Sequence, residues 1–216
     1  MDYVAARHNM VEGQIRPNKV TDALVVQAVE AIPREMFVPK HMRGIAYTDD
    51  DLDLGGGRAL MEPMVLARLL QAARIEDDEV ALVVGCGTGY SAAVLSYMCS
   101  TVVALESDSE FAARAGAVLG ELGYDNVAMM SGSLIEGCPQ QAPYSVILID
   151  GAVEVVPQAL LDQLADGGRL VAVVIENGQG VGTVYTRRGD SWGRLPVFDA
   201  NVRPLPGFSK PRSFVF

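Results

Sequence analysis

One stretch of this 216-residue sequence combines residue types and spacing that point to chemistry: Val83-Val84-Gly85-Cys86-Gly87-Thr88-Gly89-Tyr90. An apolar, β-branched run enters a glycine turn, and a run of small residues follows. Glycines at such a turn let the backbone adopt left-handed conformations and let a ligand approach closely at the carboxyl end of a strand. The spacing is G-x-G-x-G and not G-x-G-x-x-G, which disfavours the dinucleotide fingerprint. Glu106 ends the next β-branched run, a little under 20 residues beyond Gly89. A carboxylate there can accept hydrogen bonds from both hydroxyls of a ribose, whichever adenosine cofactor is bound. The competing reading, a surface charge at a strand end, fits the strand–loop–helix–strand frame less well. No G-x-x-x-x-G-K-[ST] is present, so a nucleoside triphosphatase loop is excluded. Cys86, Cys99 and Cys138 with His8 and His41 match no zinc spacing, so no metal site is expected and the cysteines read as reduced thiols.

The elements that must position these residues follow from periodicity. Thr21 is placed to cap a helix carrying Leu24, Val25, Ala28, Val29 and Ile32 at helical spacing, with Pro33 as its stop. The acidic and then glycine-rich stretch from Thr48 to Gly57 reads as a loop. Pro63 suits the first turn of a helix running to about Ala73. From there strands alternate with helices: Glu79 to Val84, Thr101 to Leu105, Val127 to Met130, Ser145 to Ile149 and Arg169 to Val174 are apolar strand candidates. Helices are expected over Tyr90 to Met98, after an Asp108 cap, and over Pro157 to Leu164. Strands apolar on both faces and alternating with helices argue for a parallel sheet covered on both sides. Val184 to Arg187 and Leu195 to Phe198 read as antiparallel strands closing one edge, with Ser213 to Phe216 as a last strand.

Half of the residues are hydrophobic and a fifth are charged, the composition of a folded domain, and the length suits one such domain. A net charge of −10 disfavours nucleic-acid and anionic-membrane partners. Arg203, Lys210 and Arg212 form an acid-free basic patch near the C-terminus, read as a solvated tail. The first residues, Met1-Asp2-Tyr3-Val4, lack the basic start and apolar run of a secretion signal. Apolar runs have strand length, short of the ~20 residues needed to span a bilayer. A cytoplasmic protein, monomeric or weakly dimeric, is expected.

The chain resembles the protein-L-isoaspartate O-methyltransferase family over nearly its whole length. The resembling pieces include Met10-Val11-Glu12-Gly13-Gln14-Ile15-Arg16, Ile32-Pro33-Arg34-Glu35-Met36-Phe37-Val38-Pro39, the glycine loop itself, and Leu122-Gly123-Tyr124-Asp125-Asn126-Val127. Ala142-Pro143-Tyr144 and Gly167-Gly168-Arg169-Leu170 complete the set. The resemblance implies an α/β fold: a Rossmann-like class I methyltransferase sheet with helices on both faces and a helical N-terminal addition. On that pattern residues 1–60 form the addition and a glycine-rich acceptor loop, and residues 61–216 the core, in one compact unit. It also implies S-adenosylmethionine as cofactor and a damaged protein or peptide, with abnormal aspartyl residues, as methyl acceptor in protein repair. The cofactor residues carried over are Gly85, Cys86, Gly87, Gly89, Tyr90, Glu106, Ser107, Ser133 and Leu134.

The sequence departs from the family pattern at the acceptor site. A family segment of the form I-G-x-G-Q-T-I-S-Q-P corresponds to Leu54-Gly55-Gly56-Gly57-Arg58-Ala59-Leu60-Met61-Glu62-Pro63. The family's serine, taken as its catalytic residue, falls on Met61, its threonine on Ala59 and its glutamine on Arg58, so that Arg58, Met61 and Asp150 are the candidate catalytic positions. A family G-D-G falls on Gly132-Ser133-Leu134, where Ser133 keeps a hydroxyl able to reach an adenine amine. Arg58 is expected either to clamp an acceptor carboxylate or to balance the acidic run Asp49 to Asp53. Met61 is expected to pack at a helix start. Asp150 is expected to cap a loop or to serve as general base toward a hydroxyl acceptor. Three functions stay open: a carboxyl methyltransferase with an altered clamp, a methyltransferase with another acceptor such as a small hydroxyl compound, and a cofactor-binding relative without activity. A nucleic-acid N-methyltransferase is disfavoured, because Ile149-Asp150-Gly151-Ala152 lacks the proline-proline-aromatic turn.

Overall fold

A computed structural model of the chain describes residues 1–210; Arg212 and the strand expected at Ser213 to Phe216 lie outside the described residues. The first helix, α1 (Tyr3–Met10), starts at Asp2, whose carboxylate accepts from the Ala5 amide. It runs without a break into a π turn over Val11–Ile15. Helix α2 (Ala23–Ala31) begins at Asp22 rather than at Thr21. The Asp22 carboxylate accepts from the Leu24 and Val25 amides, satisfying first-turn donors that otherwise have no partner.

The stretch expected as a loop contains a small antiparallel hairpin, β1 (Leu52–Gly55) and β2 (Arg58–Leu60), that forms its own two-stranded sheet. Its strands are too short for a period-2 pattern to show. Gly55, Gly56 and Gly57 make the turn with φ of 82°, 58° and 73°, values at which any side chain is strained. Helix α3 (Pro63–Ala73) opens on Pro63 as expected.

The seven-stranded sheet has the order β5-β4-β3-β6-β7-β8-β9. Strands β3 (Val80–Val84), β4 (Thr101–Glu106), β5 (Val127–Ser131), β6 (Tyr144–Val153) and β7 (Leu164–Glu176) are parallel. Strands β8 (Gln179–Arg188) and β9 (Ser191–Asp199) close the edge antiparallel. The chain steps outward from β3 to β5 and then returns to β6 on the other side of β3. A crevice therefore opens at the carboxyl ends of β3 and β6, the place where open α/β sheets bind ligands.

The two faces are covered unequally. On one face Val11, Val25 and Ile32 of the N-terminal segment share a core with Val65 of α3, the inward residues of α4 (Tyr90–Ser96), and Ala115 and Leu119 of α5 (Ser109–Glu121). Asp108 caps α5 as expected. The other face is covered by the five-residue helix α6 (Gln158–Asp162), by Leu134 and Cys138, and by Leu205 and Phe208. Those last two side chains are 5% and 3% exposed. The segment read as a solvated tail is thus packed down as a strap, because it carries apolar residues between its basic ones. Among the described residues no helix is long and apolar enough to cross a membrane.

Candidate cofactor and acceptor site

The glycine loop leaves β3 at Gly85 and enters α4 after Gly89. Gly89 has φ of 96°, and a Cβ there would lie 3.1 Å from Leu119 and 3.3 Å from Ala115. Only glycine lets α5 pack this close to the loop. The Gly87 amide donates to Glu106 Oε2 at 2.9 Å, so the carboxylate at the end of β4 holds the middle of the loop directly.

Glu106 is completely buried. Its Oε1 accepts from the Ser107 amide at 2.7 Å, the Asp108 amide at 3.0 Å and Arg58 Nη2 at 2.6 Å. Its Oε2 accepts from Arg58 Nε at 3.0 Å as well as from Gly87. Burial alone raises a carboxyl pKa; here the Arg58 fork and the backbone amides outweigh it and hold Glu106 below the usual range. Arg58, 5% exposed, also donates to the Ser107 hydroxyl at 3.0 Å. Neither expectation for Arg58 describes this. Its guanidinium faces Glu106, not an acceptor carboxylate, and its ion pair is with Glu106 and not with the aspartates it was read as balancing. The hairpin that aims it inward was not legible in the sequence.

The acceptor positions lie on the other side of the hairpin. Met61 is buried at the start of α3, and its carbonyl accepts from Arg34 Nη2 at 2.7 Å. Arg34, fully buried, also donates to the Ala46 carbonyl at 2.7 Å and lies 4.7 Å over the Tyr90 ring. It ties the N-terminal segment to the glycine-loop helix. Arg34 stands inside a segment that resembles the family, yet no motif chemistry marks it, and its role comes only from packing. Asp150 accepts from the Ser91 hydroxyl at 2.5 Å through Oδ2, while its Oδ1 is buried without a partner among the described residues. Burial pushes the Asp150 carboxyl up to about 7, against the pull of the Ser91 hydrogen bond. Glu62, beside the acidic run, is likewise pushed up to about 7, first by burial and then by Asp49, Asp51 and Asp50.

The remaining expected residues divide. Gly87, Ser107 and Glu106 converge with Arg58, while the Gly85 amide donates to the Leu105 carbonyl. Cys86 is buried in the loop, and burial raises its thiol pKa. Tyr90 points into the core, edge-on to Phe37 at 5.6 Å. Leu134 packs in the second core, and Ser133 is an exposed neighbour of Gly132, whose amide donates to the Glu106 carbonyl at 3.2 Å.

In this conformation Glu106 has no acceptor site left for the hydroxyls of a ribose. A carboxylate offers about four lone-pair sites, and all of those on Glu106 are taken. A separate cavity lined by Met61, Asp150 and Leu205, which neither Glu106 nor the glycine loop borders, has a volume of about 10 Å³, the room for roughly one water.

Sheet order, glycine loop and the acid at the end of β4 define a Rossmann-like methyltransferase fold. Two solved structures share it: one named protein-L-isoaspartate O-methyltransferase, with TM-score 0.81, 23% identity and coverage of 93% of this chain and 66% of that one. The other, a putative protein-L-isoaspartate O-methyltransferase from Plasmodium falciparum in complex with S-adenosyl-L-homocysteine, has TM-score 0.80 at 18% identity and covers 92% and 97%. The sequence model of the protein-L-isoaspartate(D-aspartate) O-methyltransferase family matches residues 5–195. A protein-L-isoaspartate O-methyltransferase of a Synechococcus strain is 39% identical, over 94% of this chain and 86% of its own. The one from Roseiflexus castenholzii is 36% identical, over 96% and 94%. The chain belongs to the protein-L-isoaspartate(D-aspartate) O-methyltransferase family.

Proposed function

We propose that the protein is an S-adenosylmethionine-dependent O-methyltransferase that modifies a carboxylate of damaged aspartyl residues in proteins. The observation that carries this reading is the family match over residues 5–195, with a relative of that name 39% identical over 94% of the chain. The three buried, unpaired cysteines agree with the cytoplasmic setting proposed for such a protein.

An acceptor carboxylate is an anion at neutral pH and needs no general base. The protein's task is to hold it in line for displacement. Met61 donates no hydrogen bond, Ala59 none from its side chain, and Arg58 is spent on Glu106. Methylation of an isoaspartyl peptide by this chain is therefore expected to be slow. The double substitution Ala59→Thr and Met61→Ser is expected to raise it at least tenfold. The test is methyl incorporation from S-adenosylmethionine into an isoaspartyl peptide, beside the same peptide with normal aspartate. Lack of incorporation by the native protein, by the double variant and by Arg58→Gln would overturn the reading.

One observation favours a second acceptor. Asp51 and Asp150 line the same small cavity as Met61, a poor place for an incoming anion but a suitable one for a hydroxyl. An Asp150 carboxyl titrating near neutrality is matched to general-base work there. Asp150→Asn abolishes transfer to a hydroxyl acceptor on this reading, and spares transfer to a carboxylate.

A further inference from the structure

We infer that Arg58 and the strap over residues 202–208 form a latch that closes the adenosine half of the cleft, with Arg58 taking the carboxylate sites a ribose would take. This rests on the family reading above. Three independent sets of contacts carry it.

The first is the pairing of Arg58 with Glu106. Its donors reach both carboxylate oxygens, at 2.6 and 3.0 Å, and the amides of Gly87, Ser107 and Asp108 use the remaining acceptor capacity. Two ribose hydroxyls can bind Glu106 only after the guanidinium leaves.

The second is the seat of the strap. The Leu205 methyl groups lie 2.8 and 2.9 Å from where a Cβ of Gly85 would stand, and Leu205 Cβ lies 3.0 Å from that of Gly151. Pro206 Cγ is 2.7 Å from the Cβ position of Gly57 in the hairpin turn. The bare backbone at the mouth of the cleft is covered by the chain's own side chains. The strap is bonded to the end of β6: the Ala152 amide donates to the Arg203 carbonyl at 2.9 Å and the Leu205 amide to the Ala152 carbonyl at 2.8 Å.

The third is that hairpin and strap are tied to each other. The Arg203 amide donates to Asp51 Oδ2 at 2.6 Å, and its guanidinium pairs with Asp53 at 3.0 Å. The hairpin makes no ladder to the large sheet, and its turn is three consecutive glycines in left-handed geometry. Lifting the two pieces together breaks the strap's bonds to Ala152 at the end of β6, but none of the ladder pairs among the seven strands. Arg58 therefore sets the cofactor affinity: apparent binding is the intrinsic binding reduced by the fraction of molecules with the latch open.

Calorimetric titration with S-adenosyl-L-homocysteine tests this on the full chain. Arg58→Gln is expected to bind at least tenfold more tightly than the native protein, and the ligand is expected to raise the melting temperature of the variant more than that of the native chain. Because removing Arg58 strips a buried carboxylate of its partner, Leu205→Ala provides a second variant that keeps the ion pair and only thins the strap. It is expected to bind several-fold more tightly than the native protein. Native binding as tight as that of Leu205→Ala and of any folded Arg58→Gln overturns the latch, whatever the methylation assay gives. Tightened binding without isoaspartyl methylation upholds the latch and removes the acceptor reading.

Discussion

Glu106 was legible as a strand-end carboxylate beside the glycine loop, where it holds the Gly87 amide, yet its burial and its charged partner were not. Read as a strand-end acid outside the core, it would be removable at little cost to the fold. In the structure it is fully buried and neutralises Arg58, 48 residues away in sequence. Glu106→Ala would leave a guanidinium buried without a counter-charge. The expected cost is about 3–5 kcal/mol, read as a lowered midpoint in urea unfolding at neutral pH. A change below about 1 kcal/mol would mean that solvent reaches Arg58 once its partner is gone. Met61 was read correctly as packing, since a methionine beginning an apolar helix has few alternatives. Arg58 was not, because nothing local says which face of a three-residue strand it occupies.

Among the elements, those with strong local signals were legible. Apolar runs gave β3, β4, β6 and β7, Pro63 gave the start of α3, and Asp108 gave the cap of α5. The hairpin, the π turn after α1 and the strap owe their form to tertiary contacts, which periodicity does not encode. One long side chain joins several of the legible elements. Arg169, at the start of the inner stretch of β7, donates to the Ala73 carbonyl at 2.6 Å and the Arg74 carbonyl at 2.6 Å as α3 ends. It also makes a forked pair with Glu79, just before β3, at 2.5 and 2.9 Å. Arg169→Leu would leave two carbonyls and a largely buried carboxylate without their donor. The expected loss is about 2–4 kcal/mol, with amide exchange quickening first at the end of α3 and in β3. Exchange that rises evenly over the chain would argue against Arg169 as the local tie.

At the scale of the whole molecule, the acid pairs oppose one another in their pH dependence. Glu106 and Glu79 are held below the usual carboxylate range against the effect of burial; their contribution is present above their unfolded pKa values and is lost as pH falls through the folded ones. Asp150 and Glu62 behave in the reverse way. Burial raises both to about 7, above an unfolded value of roughly 4. Between these two pH values the folded state binds more protons than the unfolded one, so stability falls as pH rises from about 4 to about 7, then levels off. Asp150, with its unpartnered oxygen, carries the larger part, on the order of 2–4 kcal/mol. Asp150→Asn is expected to flatten the decline between pH 5 and pH 8 in urea unfolding. An unchanged slope in the variant would assign the decline to Glu62 or to other groups.

The hydrogen bond from the Arg203 amide to Asp51 joins residues 152 positions apart. During synthesis on the ribosome, β3 through β7 emerge well before the residues that cover their carboxyl ends. At typical elongation rates this interval is on the order of seconds, longer than a domain of this kind needs to collapse. A nascent chain therefore passes through a stage in which Glu106 and the glycine loop are assembled and the strap does not yet exist. A small molecule present at that stage meets a cleft held by Arg58 alone, before the strap adds its cover.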